Sequence, residues 1–447
     1  MFIGIDVGGT KISLGLIDSS GRILARNKIA TPKKAKPQDI LDQIIALLET
    51  TLKKEQVASS ALAGIGIGIP GIVAADMDAI VATPNIDLAG IRIGQKLKET
   101  FKVKTFAGND VNLGLLGEKW LGAGQAANNI IGLFPGTGVG GGIILNGQLV
   151  TGTRGAAAEI GHMIMELNGP LCTCGNTGCL EAITGRWAIE RDIRAAVQAG
   201  KKTVITELTE GNLNTIKSKV LKEALKQKDP LATKIMQHVS QTLGKACISL
   251  KHIFNPELII FGGGVIEACG DFMLPIIRET TDKDPFFHKE IDNCQIVTSL
   301  LGDDAVMLGA VFLAAERSGQ ALCGKNGMYP IIQPCDNGKI KVNDKVYKND
   351  FYIRADGKIK DRDDKDFKKQ PDSFHRIGVE ELQKICKKNP NVVFIGTGEN
   401  SCLEVTKDGK DFLVTSGIEL QIFPTPQAIQ AYNETASRKA MLVHMTC

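Results

Sequence analysis

The chain has 447 residues, of which 43% are hydrophobic and 23% are charged, and its formal net charge is +4. These values fit a globular protein of two or three units and argue against nucleic acid as a main partner. No apolar run is long enough to span a bilayer and no signal-peptide pattern opens the chain, so we expect no membrane association and a cytoplasmic location. In that reducing compartment the 11 cysteines are expected to be thiols or metal ligands.

The start of the chain predicts a strand, a tight glycine turn and a second strand. An apolar run that contains Asp6 precedes Gly-Gly-Thr-Lys at residues 8–11, and another apolar run follows. Because a strand and not a helix follows the glycines, neither a Walker loop nor a Rossmann fingerprint fits. An ordinary glycine hairpin is one interpretation, but the flanking Asp6, Thr10 and Lys11 favour a loop that binds phosphate through its backbone amides.

A predicted helix over residues 37–56 and a buried strand over residues 62–69 lead to two polar turns, Pro70-Gly71 and Thr83-Pro84-Asn85. A further strand ends at Gly108-Asn109-Asp110, where a helix begins. An aspartate at such a place usually caps the helix. In an enzyme of phosphoryl transfer, the same carboxylate can take the proton of the attacking hydroxyl.

A second glycine-rich loop, residues 136–142, lies between two apolar strands. Its first residues, Gly136-Thr137-Gly138, have the same chemistry as the loop that follows Asp6. Two such hairpins, one from each half of a chain, can hold a triphosphate from both sides. The sequence carries no convincing residue-level repeat, so a duplicated fold is an inference from this pattern alone.

Three thiols fall within eight residues, at Cys172, Cys174 and Cys179. They cannot all pair with one another as disulfides, but they can wrap one tetrahedral ion, with His162 upstream as the fourth ligand. Three cysteines and a histidine form a closed set, which predicts a structural zinc ion; a redox cysteine pair is the alternative. Zinc would shape the loop that carries Glu181.

Further along, residues 188–199 and 214–250 have helical apolar spacing. A buried strand is predicted over residues 258–261, and the three glycines Gly262, Gly263 and Gly264 follow it. At these glycines the backbone can approach a flat ligand such as adenosine. Residues 302–304, Gly-Asp-Asp, are then expected to cap a long apolar helix.

In this order, the motifs resemble those of the ROK sugar kinases, over about residues 1–320. The resemblance implies an α/β fold of two lobes, ribonuclease-H-like or actin-type, with ATP and Mg²⁺ in the cleft. The lobes are expected at about residues 1–113 with 305–320, and at residues 114–304. The resemblance also implies a homodimer, and it makes Asp110 the catalytic base.

By the same resemblance the remaining site residues fall into three groups. The residues assigned to the sugar are Gly71, Asn85, Asn109, Asp110, Glu159, His162 and Glu181. Those assigned to the nucleotide are Asp6, Gly8, Gly9, Thr10, Lys11, Gly136, Thr137, Gly138, Gly262, Gly263 and Gly264. The zinc ligands are His162, Cys172, Cys174 and Cys179. Ala157-Ala158 stands where relatives usually have Ala-Gly, which is expected only to narrow the pocket.

The expected activity is transfer of the γ-phosphoryl group of ATP to O6 of glucose. N-acetylmannosamine, N-acetylglucosamine and fructose remain alternative acceptors, and polyphosphate remains an alternative donor. A sugar sensor or scaffold without catalysis is a further alternative. The same family includes repressors that carry a helix-turn-helix module before the first motif; with that motif at Asp6, we expect no such module here.

A small polar stretch near residues 318–327 predicts a linker to a second unit over residues 328–447. This unit resembles the small Mth-type domains, which include relatives of a mitochondrial complex I assembly factor. The resemblance implies a three-layer β/α fold and leaves an unknown protein partner open. Gly396-Thr397-Gly398 is interpreted as a turn rather than a third phosphate loop, and His444 and Cys447 as packing or interface residues.

Overall fold

The computed structural model describes residues 1–32, 35–74, 76–83, 86–287, 293–320, 322, 332–335, 339–342, 345–355, 357–362, 375–387, 390–398, 402–435 and 439–445. The chain divides into two compact units, one of Met1–Ile17 and Ile23–Gln320 and one of Asp18–Arg22 and Ala321–Cys447. No helix in the described ranges is both long and apolar enough to cross a membrane.

The first unit begins with a five-stranded sheet and the helices that cover it. Its elements are β1 (Phe2–Val7), β2 (Lys11–Ile17), β3 (Ile23–Ala30), α1 (Pro37–Lys54), β4 (Gly64–Ile69), the short hairpin β5 (Ile72–Val73) and β6 (Ile80–Ala82), α2 (Ile93–Phe101) and β7 (Thr105–Asn109). The strand order is β3-β2-β1-β4-β7. The first three strands are antiparallel, and β1, β4 and β7 are parallel.

A second five-stranded sheet and its helices follow. Its elements are α3 (Asp110–Leu121), β8 (Ile130–Pro135), β9 (Val139–Leu145), β10 (Gln148–Leu149), α4 (Leu180–Thr184), α5 (Arg186–Gln198), α6 (Val204–Leu208), α7 (Ser218–Lys226), α8 (Pro230–Phe254), β11 (Leu258–Phe261), α9 (Gly264–Asp282), β12 (Gln295–Thr298) and α10 (Ala305–Ser318). The order is β10-β9-β8-β11-β12, with β8, β9 and β10 antiparallel and β8, β11 and β12 parallel.

The two sheets therefore have the same order and the same strand directions. The hairpin β1–β2 corresponds to the hairpin β8–β9, and the two glycine loops lie at equivalent turns. The junction from β7 to α3 likewise corresponds to the junction from β12 to α10. A duplicated scaffold is thus observed, although side chains in the two halves have diverged beyond recognition at the residue level.

The helices α3 and α10 cross over between the halves. Although α3 follows the first sheet, it packs on β9, and α10 follows the second sheet but packs on β1 and β4. The two helices also pack along one another. At their crossing, a Cβ atom at Gly309 would overlap the carbonyl of Leu113, so the close approach requires a glycine. This crossing joins the two sheets into one unit.

The second unit is built on the sheet β17-β16-β22-β19-β21, in which β22, β19 and β21 are parallel. Its elements are β13 (Ile332–Cys335), β14 (Lys339–Val342), β15 (Lys345–Tyr347), β16 (Phe351–Ile353), β17 (Ile359–Asp361), β18 (Arg376–Ile377), α11 (Val379–Ile385), β19 (Val392–Thr397), β20 (Glu404–Val405), α12 (Lys407–Thr415), β21 (Glu419–Phe423), α13 (Thr425–Glu434) and β22 (Lys439–His444). One sheet face packs on α11 and α12, and the other on α13 and β13–β15.

This three-layer arrangement agrees with the expected β/α fold. Gly398 ends β19, and its amide donates to the Thr425 hydroxyl (2.9 Å), so it is engaged in a turn. His444 is buried and its Nδ1 lies 2.5 Å from a carboxylate oxygen of Asp350, which also holds Arg362. His444 therefore packs within this unit, while Cys447 lies outside the described residues.

Candidate active site

The first glycine loop is held by its own hairpin. The Gly8 amide donates to the Lys11 carbonyl (2.9 Å), and the Thr31 hydroxyl donates to the Gly8 carbonyl (2.6 Å). Between them, Gly9 and Thr10 are exposed, and their amides donate no hydrogen bond within the described part of the chain. Two consecutive amides without acceptors form a concavity suited to an anion, as the sequence predicted for a phosphate.

The second glycine loop is held partly by hydrogen bonds from another element, the helix α5. The Gly136 amide donates to the Gly138 carbonyl (2.8 Å), while the first two amides of α5, Arg186 and Trp187, donate to the carbonyls of Gly136 (3.0 Å) and Thr137 (3.2 Å). The amides of Thr137 and Gly138 make no hydrogen bond among the described residues. The equivalent turn of the second sheet therefore also presents two consecutive amides without acceptors.

The carboxylate of Glu181, at the start of α4, joins three elements. It accepts hydrogen bonds from the Val139 amide of the second loop (2.9 Å), the Thr173 hydroxyl (3.2 Å) and the Trp187 indole N–H (3.4 Å). A Cβ atom at Gly138 would overlap this carboxylate, so a side chain there would displace Glu181 from its present position. Glu181 was predicted to bind sugar, and its hydrogen bonds link the second loop to the cysteine-rich segment.

The junction from β7 to α3 is capped by Asn109 and not by Asp110. The Asn109 side chain accepts from the Asn112 amide (3.0 Å) and donates to the Gly71 carbonyl (2.9 Å). These two bonds fix the turn at Gly71 beside the start of α3 and leave the Asp110 carboxylate outside the capping role. Asn85, also predicted to line the sugar pocket, lies outside the described residues.

Asp110 and Asp6 lie close enough for their charges to interact. Burial and the charge of Asp110 raise the pKa of Asp6 to about 6. Burial raises the pKa of Asp110 from its ordinary value, a hydrogen bond from the Val111 amide opposes this, and the charge of Glu159 adds to the increase. The charges of the three predicted carboxylates therefore act on one another in pairs, Asp110 on Asp6 and Glu159 on Asp110. A group that binds protons this readily is suited to act as a base.

Lys11, which was expected to bind phosphate, forms an ion pair with a carboxylate. Its ammonium lies 2.8 Å from the Asp303 carboxylate, and this bond raises the pKa of Lys11. Next along the chain, Asp304 accepts from both terminal nitrogens of Arg26 (2.5 and 2.6 Å). The expectation that residues 302–304 cap α10 is therefore wrong for their side chains, since Asp304 makes no capping bond and both aspartates pair with cations of the first sheet.

The four predicted metal ligands come together. The ligand atoms of His162, Cys172, Cys174 and Cys179 all lie within 4.8 Å of one another. Cys172 Sγ is 3.7 Å from His162 Nδ1, and Cys174 Sγ is 3.7 Å from Cys179 Sγ. Two thiolates on one tetrahedral zinc would be about 3.8 Å apart, whereas a disulfide would bring them to about 2 Å. The donor set fits a closed structural zinc site and does not fit a disulfide.

The electrostatics of this cluster also favour a cation. A hydrogen bond from the Asn176 backbone lowers the pKa of the Cys174 thiol, while burial raises that of Cys179 to about 12. A buried thiol of this kind becomes a thiolate ligand when a divalent ion compensates its charge. Because Nδ1 of His162 faces the thiols, its Nε2 remains for another partner, which is compatible with the predicted double role of this histidine.

The third glycine group ends β11. The Gly262 amide donates to the Leu133 carbonyl (3.0 Å), and Gly263 precedes the first residue of α9, Gly264. These glycines therefore follow directly after the strand that pairs with β8, and β8 leads into the second loop. This position is compatible with the predicted contact to the adenosine of a nucleotide whose phosphates lie at Thr137 and Gly138.

Three residues of this region were missed by the sequence reasoning: Arg186, Trp187 and Thr173. Asp303 was singled out only as part of a helix cap, and its bond to Lys11 spans 292 positions, which spacing could not reveal. The volume of a cavity would not have identified the candidate site either. A recess of about 680 Å³ beside α2, lined by Arg92, Lys98 and Lys102 among others, contains none of the predicted residues.

Comparison with known proteins agrees with this geometry. Residues 2–317 match the ROK family, and residues 332–445 match a protein family of unknown function, DUF498/DUF598. The chain is 35% identical over 318 residues to a glucokinase of Thermotoga maritima, covering 71% of this chain and 98% of that protein. It is 28% identical over 317 residues to a putative xylose repressor of Caldicellulosiruptor, covering 70% and 77% respectively.

A solved structure confirms the predicted fold class. The ROK family glucokinase from Streptomyces griseus, crystallised with glucose and AMPPNP, is 32% identical, with a TM-score of 0.60 over 70% of this chain and 99% of that one. The duplicated sheets, the paired glycine loops and the cysteine cluster all lie inside the matched region. The chain therefore belongs, over residues 2–317, to the ROK family.

Proposed function

We propose that the protein transfers the γ-phosphoryl group of ATP to a hexose, that the hexose is glucose, and that O6 is the accepting atom. The observation that carries the proposal is Asp110, a carboxylate with a raised pKa at the start of α3, whose charge acts on Asp6 beside the first glycine loop. A base beside a phosphate loop is the arrangement that phosphoryl transfer needs. The glucokinase relatives support glucose as the acceptor.

The nucleotide is proposed to lie between the two glycine loops. The amides of Gly9 and Thr10 on one side and of Thr137 and Gly138 on the other would donate to phosphate oxygens, and Gly262–Gly264 would approach the adenosine. Lys11 would exchange Asp303 for a phosphate. Mg²⁺, held near Asp6, would reduce the negative charge of the phosphates when bound.

The sugar is proposed to lie against the carboxylates. Glu159 and Glu181 can each accept two hydroxyl donors, and His162 Nε2 would bind a further hydroxyl. Gly71, Asn85 and Asn109 would line the same pocket. A site built to pair hydroxyl groups discriminates against analogues that lack them, because its polar groups would then be left unpaired.

In the proposed reaction, Asp110 accepts the proton of the sugar O6 hydroxyl as that oxygen attacks the γ-phosphorus. The bond from the γ-phosphorus to the bridging oxygen breaks, and ADP leaves. The chain's main contribution is to position the two reactants and to exclude water, since phosphoryl transfer requires little covalent chemistry from protein groups. The zinc ion is proposed to be structural, held by His162, Cys172, Cys174 and Cys179, and to fix the loop that carries Glu181.

The proposal extends beyond the catalytic unit. Three thiol ligands require a reducing compartment, so a cytoplasmic location is proposed, and the active form is proposed to be a homodimer. The C-terminal unit is proposed to be an Mth-type domain, related to a complex I assembly factor, that binds a protein partner. Sedimentation of the full chain tests the dimer.

The function is tested by ADP release from Mg-ATP with glucose, fructose, mannose, N-acetylglucosamine and N-acetylmannosamine. Turnover on glucose, with the product shown to be the 6-phosphate, supports the proposal. Turnover on an N-acetyl sugar or on fructose supports the mechanism but assigns a different sugar substrate. Turnover with polyphosphate and not with ATP assigns a different phosphoryl donor. A zinc-loaded protein that turns over none of them contradicts the kinase and favours a sugar sensor or scaffold.

A further inference from the structure

The start of α5 lies directly against the second glycine loop. Besides the two backbone bonds already described, Arg186 Nη2 donates to the Thr137 hydroxyl (3.0 Å). No motif singled out Arg186, and its guanidinium is the cationic group that the described structure places on this loop. Its side chain is 28% exposed, so a ligand in the loop can reach it.

The bond from Arg186 determines what the Thr137 hydroxyl can do. A hydroxyl has one hydrogen to donate, and it can accept through its oxygen. Since the Thr137 oxygen already accepts from a permanently charged guanidinium, its hydrogen is available to donate. Thr137 also has a backbone amide without an acceptor among the described residues, so both donors can serve one anion in the loop.

The guanidinium also faces a carboxylate on the same helix, at ion-pair distance but without a hydrogen bond from its Nε. Its Nε lies 3.4 Å from Glu190, a buried carboxylate one helical turn further on, which also accepts from the Ile216 amide (3.2 Å). Glu190 is shared, because Arg194 lies 4.0 Å from its other oxygen. One carboxylate thus compensates two cations, Arg186 and Arg194, while the Glu181 carboxylate lies against the same loop at the Val139 amide.

We infer that Arg186 is a determinant of nucleotide binding, which orients the Thr137 hydroxyl toward a phosphate oxygen of ATP and adds positive charge behind it. The inference rests on the proposed function, in which this loop binds the phosphates. It goes beyond that proposal by adding a residue that no glycine motif contains. It also predicts a specific division of effects: nucleotide affinity depends on Arg186, and sugar affinity does not.

The test measures the dissociation constant of Mg-ATP by calorimetry on the full chain, without sugar, and then the KM values for both substrates. Arg186→Gln is expected to weaken Mg-ATP binding by about ten-fold, the typical value of a hydrogen bond to a charged group, with little change in the KM for glucose. Arg186→Lys keeps the charge without the planar fork, so an intermediate value is expected. The wild type is also expected to lose more ATP affinity with added salt than Arg186→Gln does.

Arg278→Gln is the control. Arg278 is an exposed arginine of α9 whose guanidinium donates to the Ile296 carbonyl of β12 (2.8 and 3.1 Å) and makes no described bond to the second loop. It is expected to bind Mg-ATP like the wild type. Thr137→Val adds a second test. If Arg186 acts through this hydroxyl, the double variant is expected to lose less Mg-ATP binding free energy than the two single variants lose together.

The inference is overturned if Arg186→Gln binds Mg-ATP within two-fold of the wild type. It is equally overturned if Lys and Gln variants lose thermal stability together and raise both KM values, since that pattern marks a structural role. A wild type that binds Mg-ATP but phosphorylates no sugar contradicts the proposed function, and the Arg186 comparison still decides the inference. A wild type that does not bind Mg-ATP overturns both.

Discussion

The two halves of the first unit are built on the same sheet, but their equivalent ends carry different chemistry. After β7, the first half places Asp110 at the start of α3, where burial raises the pKa of its carboxyl. After β12, the second half places Asp303 and Asp304 before α10. These two carboxylates are paired, with Lys11 and Arg26 respectively.

The glycine loops differ in the same way. The first is closed by bonds within its own hairpin and the neighbouring strand, whereas the second is held by α5 and by Glu181, far along the chain. A duplicated scaffold thus presents two similar loops, and only one of its two junctions is proposed to carry the base. At the other junction, Asp303 and Asp304 form ion pairs with cations of the first sheet. The comparison makes three predictions, in order of expected size.

The largest effect is expected where the junctions differ most. Asp110→Asn removes the proposed base while keeping the side chain's size, so kcat is expected to fall by about 10²- to 10⁴-fold with little change in either KM. Steady-state kinetics with glucose and Mg-ATP measure it. The matched control is Asp303→Asn at the equivalent junction, an exposed ion pair, where a change within a few-fold is expected. Comparable losses in kcat from both variants would contradict the assignment.

A smaller loss is expected when the cysteine cluster is disrupted. Cys174→Ser removes one ligand, so bound zinc is expected to fall below one equivalent per chain. Activity is expected to fall by at least about ten-fold, because the loop that holds Thr173 and Glu181 loses its support. Elemental analysis and kinetics measure the two effects together. Cys402→Ser, an exposed cysteine outside the cluster, is the control. Full activity in a zinc-free Cys174→Ser protein would show that the metal does not shape the site.

Local features of this site could be predicted from the sequence. Asp6, Asp110 and the four metal ligands each sit in a short motif whose residue types indicate their predicted chemistry, and apolar runs predicted several strands of the two sheets. The α/β class was expected from the resemblance to a family of known fold.

Features made by distant contacts could not be predicted. Lys11 and Asp303 are 292 positions apart, and Arg186 reaches Thr137 only because α5 folds back on the second loop. The sequence also did not reveal that the two sheets have the same strand order, because strand order depends on which strands pair and not on which residues recur. Glu181 could be recognised as an important acid, but its three partners belong to three different elements.

The smallest expected effect concerns stability. The pKa of Asp6 is raised to about 6 in the folded protein, so its contribution to stability is present below the ordinary aspartate pKa of 3.8 and is lost as the pH rises through about 6. Asp6→Asn is therefore expected to raise Tm by a few degrees at pH 7 and to leave it unchanged near pH 4. Thermal melts of the nucleotide-free protein without Mg²⁺ measure this. Asp42→Asn, on the exposed face of α1, is the control, and a pH-independent difference for Asp6→Asn would contradict the prediction.

We propose above all that Asp110 is the base of a phosphoryl transfer that takes place between two equivalent loops. A crystal structure of the full chain with glucose and a non-hydrolysable ATP analogue tests it most directly. The account predicts the glucose O6 within about 2.6–3.2 Å of an Asp110 carboxylate oxygen, and the phosphates between the amides of Gly9–Thr10 and those of Thr137–Gly138. A sugar whose hydroxyl groups all lie away from Asp110, or phosphates bound outside the two loops, would contradict it.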